Sequence, residues 1–205
     1  MNPLNTIAGT IIAGIVLAVV IVLATLGNHI VVSAADALII TLHVLSGVTW
    51  IGLLYYFNFV QVPALADAAS DEGGPGGAGI TKYVAPRALW WFRWGAAFTW
   101  ITGASYLLHS PKYDFVNVFM LGMGGDVVNS SSMTIGIGAW LGTAMLFNVW
   151  VLIWPNQKKI LGMVEASADE IAKARRVAFL ASRSNTLMSI PMVMSMVGAH
   201  HGFIM

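Results

Sequence analysis

The chain has 205 residues, of which 58% are hydrophobic and only 9% are charged, and its net charge is +1. Soluble domains carry roughly a quarter charged residues, and a soluble fold of this size could not hide so much apolar surface. Cysteine is absent, which excludes disulfides, thiolate metal sites, iron–sulfur clusters and covalent CxxCH haem attachment. The composition therefore predicts an all-α integral membrane protein in which His, Met or oxygen atoms bind any metal.

Five apolar stretches approach the roughly 20 residues that a helix needs to cross a bilayer. No Lys or Arg precedes the first stretch, and its apolar core is longer than that of a signal peptide, so we expect it to be retained as a helix. We predict one transmembrane domain over residues 1–205, with helices at Asn5–Gly27, Asp36–Val60, Ala88–Leu108, Ser132–Trp154 and Asn185–Ile204.

The loops between these helices contain three recognisable segments. The glycine-rich run from Glu72 to Gly79 predicts a flexible linker. The segment Ser110–Ser131 is expected to lie at the interface. The tetrapeptide Ser167-Ala-Asp-Glu170 matches a capping box, which predicts the start of a short, basic, amphipathic helix in the cytoplasm.

Lys and Arg are distributed very unequally between alternate loops. Only Lys112 lies outside the membrane in a loop of one parity, whereas eight basic residues lie in the loops of the other parity: Lys82, Arg87, Lys158, Lys159, Lys173, Arg175, Arg176 and Arg183. Because cytoplasmic loops are enriched in Lys and Arg, we predict a bacterial inner-membrane protein with a cytoplasmic N-terminus and a periplasmic C-terminus.

On this topology the histidines His29, His43, His109, His200 and His201 all fall in or near the outer third of the membrane. Ionisable residues inside a membrane are costly and are functional candidates by default. Imidazoles from separate helices at one depth are the ligands of a bis-histidine haem, and they also suit copper. At 1.5 Å per residue, His43 lies roughly 10 Å below the outer boundary and His200 roughly 5 Å.

We therefore predict His43 as one metal ligand and His200 or His201 as the other. Adjacent residues on a helix point about 100° apart, so only one of the last two is expected to face inward. His109 is a candidate for cofactor contact or an interfacial anchor, and His29 is expected to be solvated. The alternative for His43 is a hydrogen bond to a neighbouring helix.

The residues around His43 suit a flat macrocycle. Gly47 lies on the same helical face, where a missing side chain lets a ring approach, and Trp50 continues that face, so both are predicted to contact a cofactor. Small residues also let helices pack closely, which leaves packing and cofactor clearance open for the following positions: Gly95, Thr99 and Gly103 on the third helix, and Gly138 and Gly142 on the fourth.

Two other features each leave two interpretations open. Arg93, inside a tryptophan-rich run, is expected to snorkel to the headgroups or to pair with a buried charge. The methionines of the last helix are expected to pack, or to bind Cu(I) beside the histidines. No P-loop, GxGxxG, GxSxG or HExxH motif is present, and no pair of carboxylates lies in the predicted spans.

The segment Leu42–Phe57, LHVLSGVTWIGLLYYF, resembles the opening helix of the membrane domain of PuuD-type urate oxidases. Two later segments, ALWWFRWG at Ala88–Gly95 and SRSNTLMSIPM at Ser182–Met192, resemble the same domain in the same order and precede His200 and His201. The resemblance runs from about Asp36 to the end. More distantly, the His-xxx-Gly-xx-Trp helix resembles HemJ-type protoporphyrinogen oxidases and copper-resistance membrane proteins.

The resemblance implies a redox-linked membrane protein in which His43 binds haem. PuuD-type proteins carry a C-terminal cytochrome c domain, whereas this chain has no Cys, and no residue stands out as a catalyst of urate oxidation. We expect a stand-alone relative: a b-type haem (haem b) electron-transfer subunit of a larger membrane complex, with a redox partner at its outer face and no nucleic acid. The alternatives are a structural subunit of a respiratory or oxygenase complex and a copper-handling membrane protein.

Overall fold

The computed structural model describes residues 2–25 and 34–201, which form helices and connecting turns without any strand. The chain divides into two compact units, residues 1–37 and 38–205. In the first unit, a 3-10 turn at Pro3–Asn5 precedes helix α1, Ile7–Thr25. This helix has no charged residue and lies at the first predicted span, but its apolar core, Ile7–Leu23, is short for a membrane span.

Long helices with π-helical turns make up most of the second unit. Helix α2, Ala34–Tyr55, continues through a π-helical turn at Tyr56–Gln61 into α3, Val62–Ser70. A second π-helical turn, Ile80–Val84, leads into α4, Ala85–His109, which is followed by the short α5, Phe115–Phe119. Helix α6, Ser130–Phe147, continues through a third π-helical turn, Asn148–Ile153, into α7, Trp154–Ile160, and the last helix is α8, Ala168–His201.

A proline explains each π-helical turn. Pro63, Pro86 and Pro155 each stand at the second position of the α-helix that follows such a turn. Proline cannot donate a backbone hydrogen bond, and its ring clashes with the carbonyl of residue i−4 in a regular helix. The wider π-helical turn accommodates the ring, so the helix continues past the proline.

The capping box predicted at the start of α8 is confirmed. Ser167 Oγ accepts a hydrogen bond from the Glu170 N–H at 3.3 Å, and Glu170 Oε2 accepts one from the Ser167 N–H at 2.9 Å. The separate amphipathic helix predicted before Asn185 is wrong, because α8 is continuous from residue 168 to 201. No Gly or Pro lies between residues 168 and 184 to end it, so the basic and apolar segments form two halves of one helix.

Two continuous helices in the described ranges are long and apolar enough to cross a membrane. They are Ala35–Ser70 and Ser130–Ile160, whose 18-residue apolar windows have mean hydropathies of 2.0 and 1.7. These helices contain the second and fourth predicted spans and extend beyond them. The third and fifth predicted spans lie largely within α4 and α8, but the five-span bundle, its orientation and the single domain over residues 1–205 stay predictions.

The main core of the second unit lies where α2, α4, α6 and α8 meet. Trp50, Leu54, Phe92, Met145 and Met192 are buried there. Small residues allow the close approach of these helices, because a Cβ at Gly95 would lie 3.2 Å from the Trp50 backbone nitrogen, and one at Gly138 would lie 3.2 Å from Ser195 Cβ. Packing therefore explains both glycines.

Candidate functional site

The imidazole of His43, on α2, is held against α4. Its Nδ1 lies 2.8 Å from the Thr99 carbonyl oxygen and 3.4 Å from Thr102 Oγ1. A carbonyl oxygen only accepts hydrogen bonds, so Nδ1 carries the proton and Nε2 carries the lone pair of the neutral ring. No described residue forms a hydrogen bond with Nε2. The hydrogen bond to a neighbouring helix, which was the alternative expected for His43, is therefore present. This bond leaves one ring nitrogen available.

Gly103 on α4 determines where this imidazole can lie. A Cβ at position 103 would stand 2.9 Å from Cε1 of His43, which is closer than real Cβ contacts come, and 3.1 Å from its Nδ1, which is also tight. The missing side chain therefore allows the ring to reach the Thr99 carbonyl. For the glycines of the third predicted span, which lies in α4, packing and cofactor clearance were both left open. Gly103 clears space for the His43 side chain.

The two other residues predicted near the cofactor differ in their packing. A Cβ at Gly47 would meet only Thr99 Cγ2, at an ordinary 3.8 Å, so protein contacts do not require glycine there. Trp50 is 1% exposed and belongs to the main core with Phe92. Its indole Nε1 is buried and has no hydrogen-bond partner among the described residues. The predicted cofactor contacts of Gly47 and Trp50 stay predictions.

The other histidines are less well placed or lie outside the described residues. His109 is exposed at the end of α4, and its Nδ1 lies 2.8 Å from the Ser105 carbonyl of the same helix. His29 and the side chains of His200 and His201 lie outside the described residues. The backbone just before His200 is described, and the Ala199 carbonyl accepts a hydrogen bond from Tyr113 Oη at 3.5 Å. The end of α8 thus lies beside the segment that follows α4.

Metal ligation within the described ranges depends on His43. No group of three or more His, Asp or Glu side chains there could hold a metal ion. A bis-histidine haem needs only two protein ligands, and the open Nε2 of His43 fits one of them. Met145 and Met192 are buried in the main core, so packing accounts for both thioethers.

Asn185, on α8, belongs to a buried polar cluster that sequence reasoning missed. Its side chain is fully buried, its Nδ2 donates to the Met145 carbonyl at 3.0 Å, and its Oδ1 accepts from Asn148 Nδ2 at 2.8 Å. Asn148 belongs to the π-helical turn after α6. These amide bonds join α8 to the helix that runs from α6 into this π-helical turn.

Two further bonds extend this cluster along α8. Ser182 Oγ accepts from Asn58 Nδ2 at 2.8 Å, and Ser189 Oγ lies 2.9 Å from Tyr55 Oη. Together with Asn185, the two serines follow an i, i+3, i+7 spacing that places them on one helical face. That spacing in a largely apolar stretch was the sequence signal for the cluster.

Arg93 lies well away from His43 on α4. Its Cζ is 3.3 Å from the centroid of the Trp154 ring and 5.6 Å from that of Trp150, and its Nε donates to the Leu89 carbonyl at 3.2 Å. Cation–π contacts of this kind stabilise a guanidinium. The ion pair considered for Arg93 has no carboxylate partner within the described ranges. Position 93 is roughly 15 Å along the helix from Gly103 at 1.5 Å per residue.

Comparison with known proteins supports the resemblance at a coarse level. Residues 115–205 match the family described as Urate oxidase N-terminal. No curated protein and no solved structure matches the chain. The match includes α8 with Asn185 and the final histidines, but it does not extend to His43 or Gly103. The chain is thus similar, over its C-terminal part, to the N-terminal region of urate oxidase-type proteins.

Proposed function

We propose that the protein is a membrane-embedded b-type haem protein that transfers electrons, with His43 as one axial ligand. The observation that carries the proposal is the bond of 2.8 Å between His43 Nδ1 and the Thr99 carbonyl. Metal-binding histidines almost always donate their other ring N–H to a carbonyl, carboxylate or water, because this fixes the tautomer and orients the ring. A bound haem would supply one-electron chemistry through its iron.

The chain's own residues prepare the ligand. The Thr99 carbonyl holds the proton on Nδ1 and makes the ring a better donor to a metal at Nε2. Gly103 keeps the ring in that position because no side chain competes for its space. His200 or His201 is the proposed second ligand, with support from their predicted depth and from the contact of Ala199 with Tyr113 at the end of α8.

Membrane embedding is part of the proposal. Large apolar side chains on the sides of the helices are exposed in the second unit, including Val48, Ile101 and Leu187 at 66%, 51% and 71%. Exposed apolar surface of this extent indicates contact with lipid or with other subunits. The Lys and Arg asymmetry supports basic loops in the cytoplasm and a periplasmic C-terminus in the inner membrane. The protein is then a subunit of a larger membrane complex with a redox partner at its outer face.

The visible spectrum of the purified protein tests the proposal. We expect a Soret band and a sharp α band on reduction, and we expect His43→Ala to lose both almost completely. His29→Ala is the matched histidine control and should keep the full pigment content. If His43→Ala retains the pigment with an unchanged spectrum, this helix does not ligate the haem.

A structural subunit is the second candidate, because the same Nδ1 bond links α2 to α4 without any metal. In that case the wild-type protein has no pigment, and His43→Ala lowers the thermal stability alone. Bound copper without a Soret band would instead favour the copper-handling alternative. Metal analysis and a melting curve on the same preparation separate the three functions.

A further inference from the structure

A cavity of about 690 Å³ lies in the second unit, at the end away from His43. The first residues of α3, the start of α4, the π-helical turn and helix α7 that follow α6, and the basic half of α8 line it. Asn58 and Ser182, which belong to the polar cluster, form part of its wall. The cavity thus connects buried polar groups with the basic end of the helices.

Gln61 supplies an open hydrogen-bonding group in this cavity. The residue is only 9% exposed and lines the cavity wall, yet its Oε1 is buried and has no hydrogen-bond partner within the described ranges. A buried carbonyl oxygen without a donor is costly, so native structures almost always satisfy such groups. A ligand hydroxyl or N–H in the cavity would complete the missing bond.

Arg175 and Arg176 give the cavity a positive charge. Neither arginine forms an ion pair with a described residue, and none of the residues that line the cavity is acidic. Arg175, Phe179 and Ser182 follow an i, i+4, i+7 spacing, so one face of α8 runs from a guanidinium past an aromatic ring to a hydroxyl. Arginine side chains favour phosphate and carboxylate groups.

Apolar walls distinguish this cavity from a site for a small soluble anion. Leu89 and Ile153 are buried in its wall, whereas Val62 and Phe179 are each 38% exposed. An apolar path therefore leads from the interior to the outer surface of the helices. Basic pockets between membrane helices on the cytoplasmic side bind anionic lipid headgroups.

We propose that this cavity binds an anionic phospholipid whose headgroup carries hydroxyl groups. Its phosphate contacts Arg175 and Arg176, a headgroup hydroxyl donates to Gln61 Oε1, and its acyl chains follow the apolar path past Val62 and Phe179. The inference rests on the membrane embedding in the proposed function and is independent of the haem.

Binding of short-chain lipids to the full-length, delipidated protein in detergent tests the inference. We expect dioctanoyl phosphatidylglycerol to bind about tenfold more tightly than the phosphatidylcholine analogue, because two arginines attract the anion. Phosphatidylethanol, which is anionic but lacks the headgroup hydroxyls, should bind with intermediate affinity. Glycerol phosphate tests the soluble source of the same chemistry and should not compete at equal concentration.

Variants assign the binding to this cavity. The double variant Arg175→Gln, Arg176→Gln should weaken phosphatidylglycerol binding about tenfold, whereas Lys173→Gln, an exposed basic residue of the same helix that does not line the cavity, should not. Gln61→Leu should remove the preference for phosphatidylglycerol over phosphatidylethanol. Equal binding of phosphatidylcholine, effective competition by glycerol phosphate, or equal loss in the lysine control would each overturn the inference.

The same titrations on His43→Ala keep the two proposals separate. We expect unchanged lipid binding in this variant, since His43 does not line the cavity. A wild-type preparation that shows a Soret band but no preference for phosphatidylglycerol would refute the lipid site alone. A wild-type preparation without a Soret band that keeps its lipid selectivity would refute the haem alone.

Discussion

His43 and the buried polar cluster around Asn185, which lie towards opposite ends of the second unit, differ in how their polar atoms are bonded. At one end, His43 uses one ring nitrogen on the Thr99 carbonyl and leaves the other without a partner in the described chain. Towards the other end, side-chain amides join neighbouring helices. Asn58 and Asn148 donate to side chains of α8, and Asn185 on α8 donates to a backbone carbonyl of α6. Fully bonded polar groups fix the positions of helices, whereas a held side chain with one open atom is suited to bind a ligand.

The largest stability effect is expected in the buried polar cluster around Asn185. Asn185→Leu keeps the approximate volume but leaves Asn148 Nδ2 without its acceptor, which should cost about 1–3 kcal/mol of unfolding free energy. Ser184→Ala, an exposed neighbour on the same helix, should change it by less than about 0.5 kcal/mol. Tryptophan fluorescence during thermal unfolding in detergent measures both. Equal melting temperatures for the two variants would mean that the amide bonds do not secure α8.

A pair of glycine variants sharpens the contrast at the His43 end. Gly103→Ala displaces the imidazole, so we expect about 10- to 100-fold weaker retention of haem together with a lower melting temperature. Gly47 is predicted to contact the cofactor, and a Cβ at position 47 would meet no close protein atom. We therefore expect Gly47→Ala to lower the pigment content without lowering the melting temperature. Pigment content per protein, measured before and after dialysis, gives both values. If Gly47→Ala leaves the pigment unchanged, this glycine does not border the cofactor.

A smaller effect is expected at the capping box. The Ser167 N–H and Lys159 lower the pKa of the Glu170 carboxyl, so its stabilising effect is present above the ordinary pKa of Glu. It is lost as the pH falls through the lower pKa of the folded protein. Ser167→Ala should cost about 1 kcal/mol at neutral pH. Melting curves from neutral to acid pH measure this, and Glu170→Gln should flatten that part of the profile relative to the wild type.

The smallest redox effect is expected at Arg93. Because its guanidinium contacts Trp154 and Trp150 at a distance from Gly103, Arg93→Lys should leave the haem midpoint potential nearly unchanged. Weaker stacking should lower the stability by about 0.5–1 kcal/mol. A potentiometric titration checks the first value. A large shift in a well-folded variant would place a cofactor near this end.

Local patterns allowed good prediction of some features and not of others. Apolar length located the helices, and the capping box of α8 depends only on Ser167 and Glu170, which are three residues apart. The partner of His43 could not be predicted, because it is a backbone carbonyl that becomes accessible only through the packing of α2 against Gly103. The continuity of α8 was missed because its basic and apolar halves appear as separate elements in a hydropathy pattern.

Asn185 and the choice between His200 and His201 show a different limit. The spacing of Ser182, Asn185 and Ser189 placed them on one face, but spacing alone does not identify the amide that Asn185 meets on another helix. His200 and His201 are adjacent, so a helix rotation of about 100° exchanges their roles. Sequence periodicity does not determine the rotation of the helix at these two positions.

The three proline-linked π-helical turns also affect how the length of the chain can vary among related sequences. A π-helical turn holds one residue more than an α-helical turn for the same hydrogen-bonded closure. Loss of one residue there would convert the turn into an ordinary α-helical turn, leaving the helix beyond it in nearly the same orientation but changing the direction of the side chains within the turn. Asn58 and Asn148 both lie in such turns, so single-residue gaps in relatives should occur at these turns and should coincide with replacement of the facing polar residues of α8.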